Sequence, residues 1–117
     1  MSAGTANTLE PQSLDFVRIA ETSEIPPGER LLVEVDEQPI VIFNVDGKYY
    51  AIGDVCTHDD GPLGDGELEN HHIACPRHGA RFDIRNGKAL TLPAVIDTPW
   101  YPARVEDGWV EIGMPKE

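Results

Sequence analysis

The sequence predicts an all-β protein built from antiparallel hairpins and arranged as a small sandwich or barrel. Short runs rich in Val, Ile and Leu alternate with turn residues, and the 117-residue chain contains 11 glycines and 10 prolines. Asp-Gly or Asn-Gly stands between such runs at three places, and both dipeptides favour tight hairpin turns. No window shows the apolar period of an amphipathic helix.

The length of the chain favours a single domain. Residues 1–13 are small and polar without periodicity, and they are predicted to form a flexible tail. The folded domain is predicted over residues 14–117, and its first strand over Asp15–Ile19.

Four further elements are predicted in the first half of the chain. Ile25-Pro26-Pro27-Gly28 is predicted as a turn, because proline and glycine interrupt regular structure. Arg30–Val35 and Pro39–Val45 are rich in Val, Ile and Leu, as strands are. Asp46-Gly47 then predicts a hairpin that joins the second of these strands to Lys48–Ile52.

The second half is predicted to contain a short strand at Ile73-Ala74 and two more hairpins. Asn86-Gly87 and Asp107-Gly108 provide their turns. The predicted strand pairs are Arg81–Ile84 with Ala89-Leu90, and Trp100–Val105 with Trp109–Ile112. Residues 54 to about 92 contain both cysteines and all four histidines, which suggests a site-bearing insertion on a β scaffold.

Composition excludes several classes of protein. Acidic residues outnumber basic ones 21 to 9, giving a formal charge of −12, which argues against a nucleic-acid or anionic-membrane partner. Two cysteines are too few for a disulfide-stapled secreted domain. No apolar run approaches the roughly 20 residues that span a bilayer, and the N-terminus lacks the features of a secretory signal. The expected location is the cytoplasm.

The chemistry-bearing motif is Cys56-x-His58, sixteen intervening residues, and Cys75-x-x-His78. Each half places one thiol and one imidazole close together, as a metal-ligand loop does. Three alternatives are a structural zinc site, a catalytic Cys–His dyad, and buried inert cysteines beside incidental histidines. Zinc fingers usually pair Cys with Cys and His with His, and a dyad leaves the second pair unexplained.

This motif, with its sixteen-residue spacing, resembles the cluster-binding signature of the Rieske ferredoxins. The resemblance extends over roughly residues 14–113 and includes Gly61-Pro62-Leu63, His78-Gly79-x-x-Phe82-Asp83 and Gly87-Lys88-Ala89-Leu90. It implies the Rieske fold, with a cluster-binding subdomain inserted into a β-sandwich. It also implies a [2Fe–2S] cluster, one iron bound by Cys56 and Cys75 and the outer, reducible iron by His58 and His78.

Imidazole ligands raise the reduction potential relative to an all-cysteine cluster, into a range of about −150 to +300 mV. High-potential members of the family carry an extra cysteine in each loop, where this chain has Gly61 and Arg77. They also place Ser and Tyr hydroxyls near the cluster, where this chain has Ala80 and Phe82. Fewer hydrogen-bond donors stabilise the reduced cluster less, so we predict a potential of about −150 mV.

The resemblance further implies a one-electron carrier that is not catalytic alone, and a monomer is the default expectation. Its expected partners are an NAD(P)H-dependent flavoprotein reductase and a terminal oxygenase. We expect no second, mononuclear-iron domain of the kind that oxygenase catalytic subunits carry, since the sequence ends at Glu117. Alternatives are the Rieske-like small subunit of assimilatory nitrite reductase, a carrier for another local pathway and, in a different class, a non-redox zinc-binding module.

Charge around the motif is uneven. Residues 54–70 contain six acidic residues and no basic one, whereas residues 71–90 contain four basic residues and one acidic one. This distribution suggests a bipolar docking face, although ordinary solvated loops have similar charge. His71 and His72 are interpreted as surface or turn residues before Ile73 rather than as extra ligands.

Overall fold

The computed structural model describes residues 14–56, 61–77, 79–92 and 96–115. Every strand pair in these ranges is antiparallel, and the only helical element among them is a single 3-10 turn at Thr22–Glu24. The strands are β1 (Leu14–Glu21), β2 (Arg30–Val35), β3 (Gln38–Val45), β4 (Lys48–Gly53), β5 (Leu68–Glu69), β6 (His72–Ala74), β7 (Arg81–Asp83), β8 (Trp100–Tyr101), β9 (Ala103–Glu106) and β10 (Trp109–Pro115). The predicted all-β antiparallel class is confirmed.

The strands form three sheets. The central sheet has the order β2-β3-β4-β8, the terminal sheet β1-β10-β9 and the insertion sheet β5-β6-β7. Ile40 and Ile42 of β3 lie in an apolar cluster shared with β10, whereas Val41 and Phe43 lie in one shared with β6 and β7. The central sheet is therefore covered on both faces, which explains why β3 is apolar at four consecutive positions.

The hairpins predicted at Asp46-Gly47 and Asp107-Gly108 are confirmed as two-residue connections with positive φ at both residues. A third hairpin of this kind joins β2 to β3 through Asp36-Glu37, with φ of 51° and 66°. This turn was not predicted, because Glu37 occupies the position where the other two turns have glycine.

Replacing Glu37 with glycine is expected to raise stability by about 0.5–1 kcal/mol, because a side chain is strained at positive φ and glycine is not. Thermal unfolding of the variant and the wild-type protein measures the difference. The reverse substitution, Gly47→Glu, provides the matched comparison, since Gly47 has φ 89° with no heavy atom near its would-be Cβ. A Glu37→Gly variant that unfolds at a lower temperature would contradict the expectation.

The single strand predicted over Trp100–Val105 is wrong, because the segment forms two strands that belong to different sheets. β8 pairs with β4 in the central sheet, whereas β9 pairs with β10 in the terminal sheet. Pro102 separates them; it has no N–H for a ladder, and its carbonyl accepts the Gly113 N–H at 2.9 Å. The chain therefore passes from the central sheet to the terminal sheet at Pro102.

The hairpin predicted at Asn86-Gly87 is confirmed in shortened form: the Asp83 N–H donates to the Lys88 carbonyl at 2.9 Å and the Leu90 N–H to the Arg81 carbonyl at 2.8 Å, but Ala89-Leu90 forms no extended strand. A single bridge pairs Phe82 with Ala89. The ladder stops there because the Arg81 N–H donates to the Thr91 hydroxyl at 3.0 Å instead of to a backbone carbonyl.

The predicted tail, residues 1–13, lies outside the described residues. In the ranges that the structure does describe, no helix is long and apolar enough to cross a membrane.

Candidate functional site

Both predicted thiol ligands lie at the ends of strands that border one apolar cluster. Cys56 follows β4 by three residues, and Cys75 directly follows β6. Neither of these two described residues forms a disulfide, and both thiols are buried, with exposures of 0% and 2%. They share the cluster between the central and insertion sheets with Leu63 and Phe82. The structure thus brings the two cysteines into one environment, whereas His58 and His78 lie outside the described residues.

The two cysteines begin loops with the same hydrogen-bond closure. The Cys56 N–H donates to the Gly61 carbonyl, and the Cys75 N–H donates to the Ala80 carbonyl, both at 2.7 Å. Each bond spans five residues, although the two loops have different sequences. In the second loop the Gly79 N–H also donates to the Cys75 carbonyl at 2.9 Å, with Gly79 at φ 78°. Each thiol therefore stands at the closed base of its loop.

Two side chains after Cys75, Ala80 and Phe82, are apolar and completely buried. Ala80 and Phe82 both have 0% exposure and lie in the same cluster as the thiols. Neither side chain can donate a hydrogen bond to a sulfur atom. The lack of a donor in these two side chains is consistent with a low reduction potential, and the potential itself stays a prediction.

Thr98 is a structural residue of the site that sequence reasoning missed. It is buried, and its hydroxyl lies 3.2 Å from the Val55 carbonyl and 3.4 Å from the Gly53 carbonyl. Its N–H donates to the Gly87 carbonyl at 2.8 Å. A Cβ on Gly87 would lie 2.1 Å from the Thr98 carbonyl oxygen. Thr98 thus connects residues 53–55, which precede Cys56, to the turn after β7. In the sequence, only Asn86-Gly87 had indicated a turn at this place.

Ion pairs on the insertion sheet neutralise part of the charge that suggested a bipolar face. Arg81 pairs with Glu69 at 3.2 Å, and Arg85 forms hydrogen bonds to both carboxylate oxygens of Asp83 at 2.9 and 3.0 Å. The bonds from Arg85 are the main reason why the pKa of Asp83 lies below its ordinary value. Arg81 and Arg85, which belong to the predicted basic half, are therefore paired with acidic residues.

The two remaining histidines, His71 and His72, lie just before and at the start of β6. The His71 ring meets Tyr50 edge-on with centroids 5.4 Å apart, and its carbonyl accepts the Ile84 N–H at 2.9 Å. His72 is the first residue of β6, opposite Glu69 and Asp83 in the ladders. Within the described part of the chain, no three His, Cys, Asp or Glu side chains gather as a metal site.

Comparison with known proteins identifies a matching family and named relatives. The model of the family described as Rieske [2Fe–2S] domain matches residues 15–102. The chain is 40% identical over 96 residues to the 3-phenylpropionate/cinnamic acid dioxygenase ferredoxin subunit of Escherichia coli strain K12, covering 80% of this chain and 89% of that protein. It is 36% identical over 100 residues to the ferredoxin component of the naphthalene 1,2-dioxygenase/salicylate 5-hydroxylase systems of a Ralstonia species, covering 86% and 96%.

Solved structures show the same fold. The ferredoxin of carbazole 1,9a-dioxygenase from Nocardioides aromaticivorans IC177 matches with a TM-score of 0.80 and 29% identity, covering 86% of this chain and 98% of that one. A chain from the complex of reduced oxygenase and oxidized ferredoxin in carbazole 1,9a-dioxygenase matches with a TM-score of 0.79 and 26% identity, covering 95% and 98%.

Proposed function

The chain belongs to the Rieske [2Fe–2S] domain family, and we propose that Cys56, Cys75, His58 and His78 bind its cluster. Two thiols buried in one apolar cluster, each in a residue whose N–H donates to the carbonyl five residues later, support this assignment. Thiolate and imidazole are the two ligand types of a Rieske centre. The donor chemistry of these residues therefore fits the group.

The protein is a Rieske-type electron carrier of the ferredoxin kind, an electron-transfer component that is not catalytic alone. When bound, the cluster accepts and releases one electron at a time. The chain supplies the surroundings: the apolar cluster buries both thiols, and the buried Ala80 and Phe82 side chains offer no hydrogen-bond donor there. Reduction adds negative charge, and these two side chains offer no donor to stabilise it. This supports our assignment of a reduction potential near the low end of the Rieske range, about −150 mV.

For the partners, we propose that an NAD(P)H-dependent flavoprotein reductase reduces the chain and that a terminal oxygenase oxidises it. The support is that its relatives are named as ferredoxin components of dioxygenase systems, and that one similar ferredoxin was solved in complex with an oxygenase. We also propose that the carrier works as a monomer in the cytoplasm. The similarity to named ferredoxin components carries the proposal.

The function is tested with NADH, the flavoprotein reductase of a naphthalene dioxygenase system and its terminal oxygenase. The cluster-loaded chain is expected to be reduced within the assay and to restore naphthalene oxidation when the native ferredoxin is left out. The chain alone is expected to oxidise nothing. If the loaded chain accepts no electrons from this reductase or any related one, the assignment to an oxygenase system fails.

Charge gives a further expectation for the same assay. The net charge of −12 should steer the chain towards a basic reductase surface. The second-order rate of reduction is therefore expected to fall several-fold as ionic strength rises from about 0.01 M to about 0.15 M, where the screening length shrinks from about 30 to about 8 Å. Stopped-flow absorbance measures this rate. A rate independent of salt would contradict steering and leave apolar contact as the basis of docking.

A further inference from the structure

Arg30, the first residue of β2, reaches out of the central sheet to the segment that connects the two cysteine loops, residues 61–67. Its Nη1 donates to the Gly64 carbonyl at 2.6 Å and to the Gly66 carbonyl at 2.7 Å. The guanidinium also lies over the Phe43 ring, with Cζ 5.1 Å from the centroid. Short bonds from a charged donor are strong, and the buried Phe43 ring restricts the guanidinium.

Asp54, the residue that follows β4, also binds this segment. One of its carboxylate oxygens, Oδ1, accepts the N–H of Leu63 at 2.9 Å and the N–H of Gly64 at 2.5 Å. Both polar backbone atoms of Gly64 are thus bound by charged side chains of opposite sign. A Cβ on Gly64 would lie 2.9 Å from Asp54 Oδ1, so a larger residue there would displace the Asp54 carboxylate.

The connecting segment is tied at both ends to residues beside the thiols. At its start, the Gly61 carbonyl accepts the Cys56 N–H at 2.7 Å. Near its end, the Glu67 carbonyl accepts the N–H of Ala74, the residue before Cys75, at 3.0 Å. A shift of this segment would therefore move the base of one loop relative to the other.

We propose that Arg30 and Asp54 are positioning residues that fix the connecting segment, set the placement of the Cys56 loop relative to the Cys75 loop, and so tune the cluster held between them. The inference rests on the proposed ligand set. Neither residue belongs to that set, and both act through the backbone of residues 61–67. Arginine suits this role because its rigid, planar group holds its donors in a fixed geometry, whereas lysine is a flexible point charge.

The test compares cluster-loaded Arg30→Gln, Arg30→Lys and Lys48→Gln with the wild-type protein. Lys48, the first residue of β4, is exposed, and its substitution makes the same change of net charge. Arg30→Gln is expected to lose its cluster to a chelator about tenfold faster, because two charge-assisted bonds are lost. Its EPR spectrum and reduction potential are expected to shift, Arg30→Lys should shift less, and Lys48→Gln should match the wild-type protein.

Unchanged release rate, spectrum and potential in Arg30→Gln would overturn the proposal, as would equal shifts in Lys48→Gln. If Arg30→Gln takes up no iron, the same measurements are made on Arg30→Lys and Asp54→Asn. Release rates, spectra and potentials equal to those of the wild-type protein in both variants would overturn the proposal. A wild-type protein without a Rieske-type EPR spectrum would instead refute the proposed ligand set.

Discussion

Replacing either Cys56 or Cys75 with alanine is expected to reduce the iron and sulfide content of the purified protein to less than about a tenth of the wild-type value. One iron of a Rieske centre is bound by two thiolates, and removal of either leaves an incomplete ligand set. Because metal binding contributes to folding free energy, the cysteine loops should also lose stability. Iron and sulfide analysis, with visible absorbance, measures the loss.

Leu63→Ala provides a matched control for this prediction. Leu63 has 0% exposure and packs in the same apolar cluster as the thiols, but it has no ligand atom. Its truncation is expected to cost about 2–5 kcal/mol of stability, more than the small packing change at a cysteine. The Leu63 variant should nevertheless retain a Rieske-type EPR signal where it is folded. A cysteine variant with a complete cluster would contradict the ligand assignment.

Replacing Gly66 with alanine is expected to cost about 3 kcal/mol of stability and most of the cluster. A Cβ at this position would lie 1.8 Å from the Ala74 carbonyl oxygen, which is backbone of β6 and cannot rotate away. The connecting segment would have to separate from β6, with loss of the hydrogen bond between Ala74 and Glu67. The unfolding midpoint should fall by roughly 12 °C, as thermal unfolding would show.

Gly108→Ala is the control for this steric argument. Gly108 has φ 80° and no heavy atom within 4 Å of its would-be Cβ, so alanine there meets backbone strain but no collision. Its expected cost is about 1 kcal/mol, with the cluster retained. If Gly66→Ala cost no more than Gly108→Ala, the close contact between the connecting segment and β6 would not be a constraint on the fold.

Local turn chemistry made much of this fold predictable. Asp46-Gly47 and Asp107-Gly108 marked two hairpins, because glycine tolerates the positive φ that such turns need. The turn at Asp36-Glu37 escaped detection because a strained residue occupies it. Pro102 could have been interpreted as a break between β8 and β9, but the exchange of sheets there depends on long-range pairing that no local pattern contains.

Only part of the candidate site was predictable from the sequence. The spacing between Cys56 and Cys75 identified the thiols, and the structure places both in one buried cluster. The supporting residues, Arg30, Asp54 and Thr98, were not predictable, since each acts on backbone atoms far away in the sequence. Contacts of a side chain with distant carbonyls leave no periodic or motif signal.

The central claim is that this chain binds a low-potential Rieske-type [2Fe–2S] cluster through two cysteines and two histidines. An EPR-monitored redox titration of the purified wild-type protein, with metal analysis of the same sample, tests it most directly. We expect two irons and two sulfides per chain, and a Rieske-type spectrum that appears on reduction with a midpoint of about −150 mV. A colourless protein containing one zinc, or a strongly positive midpoint, would contradict it.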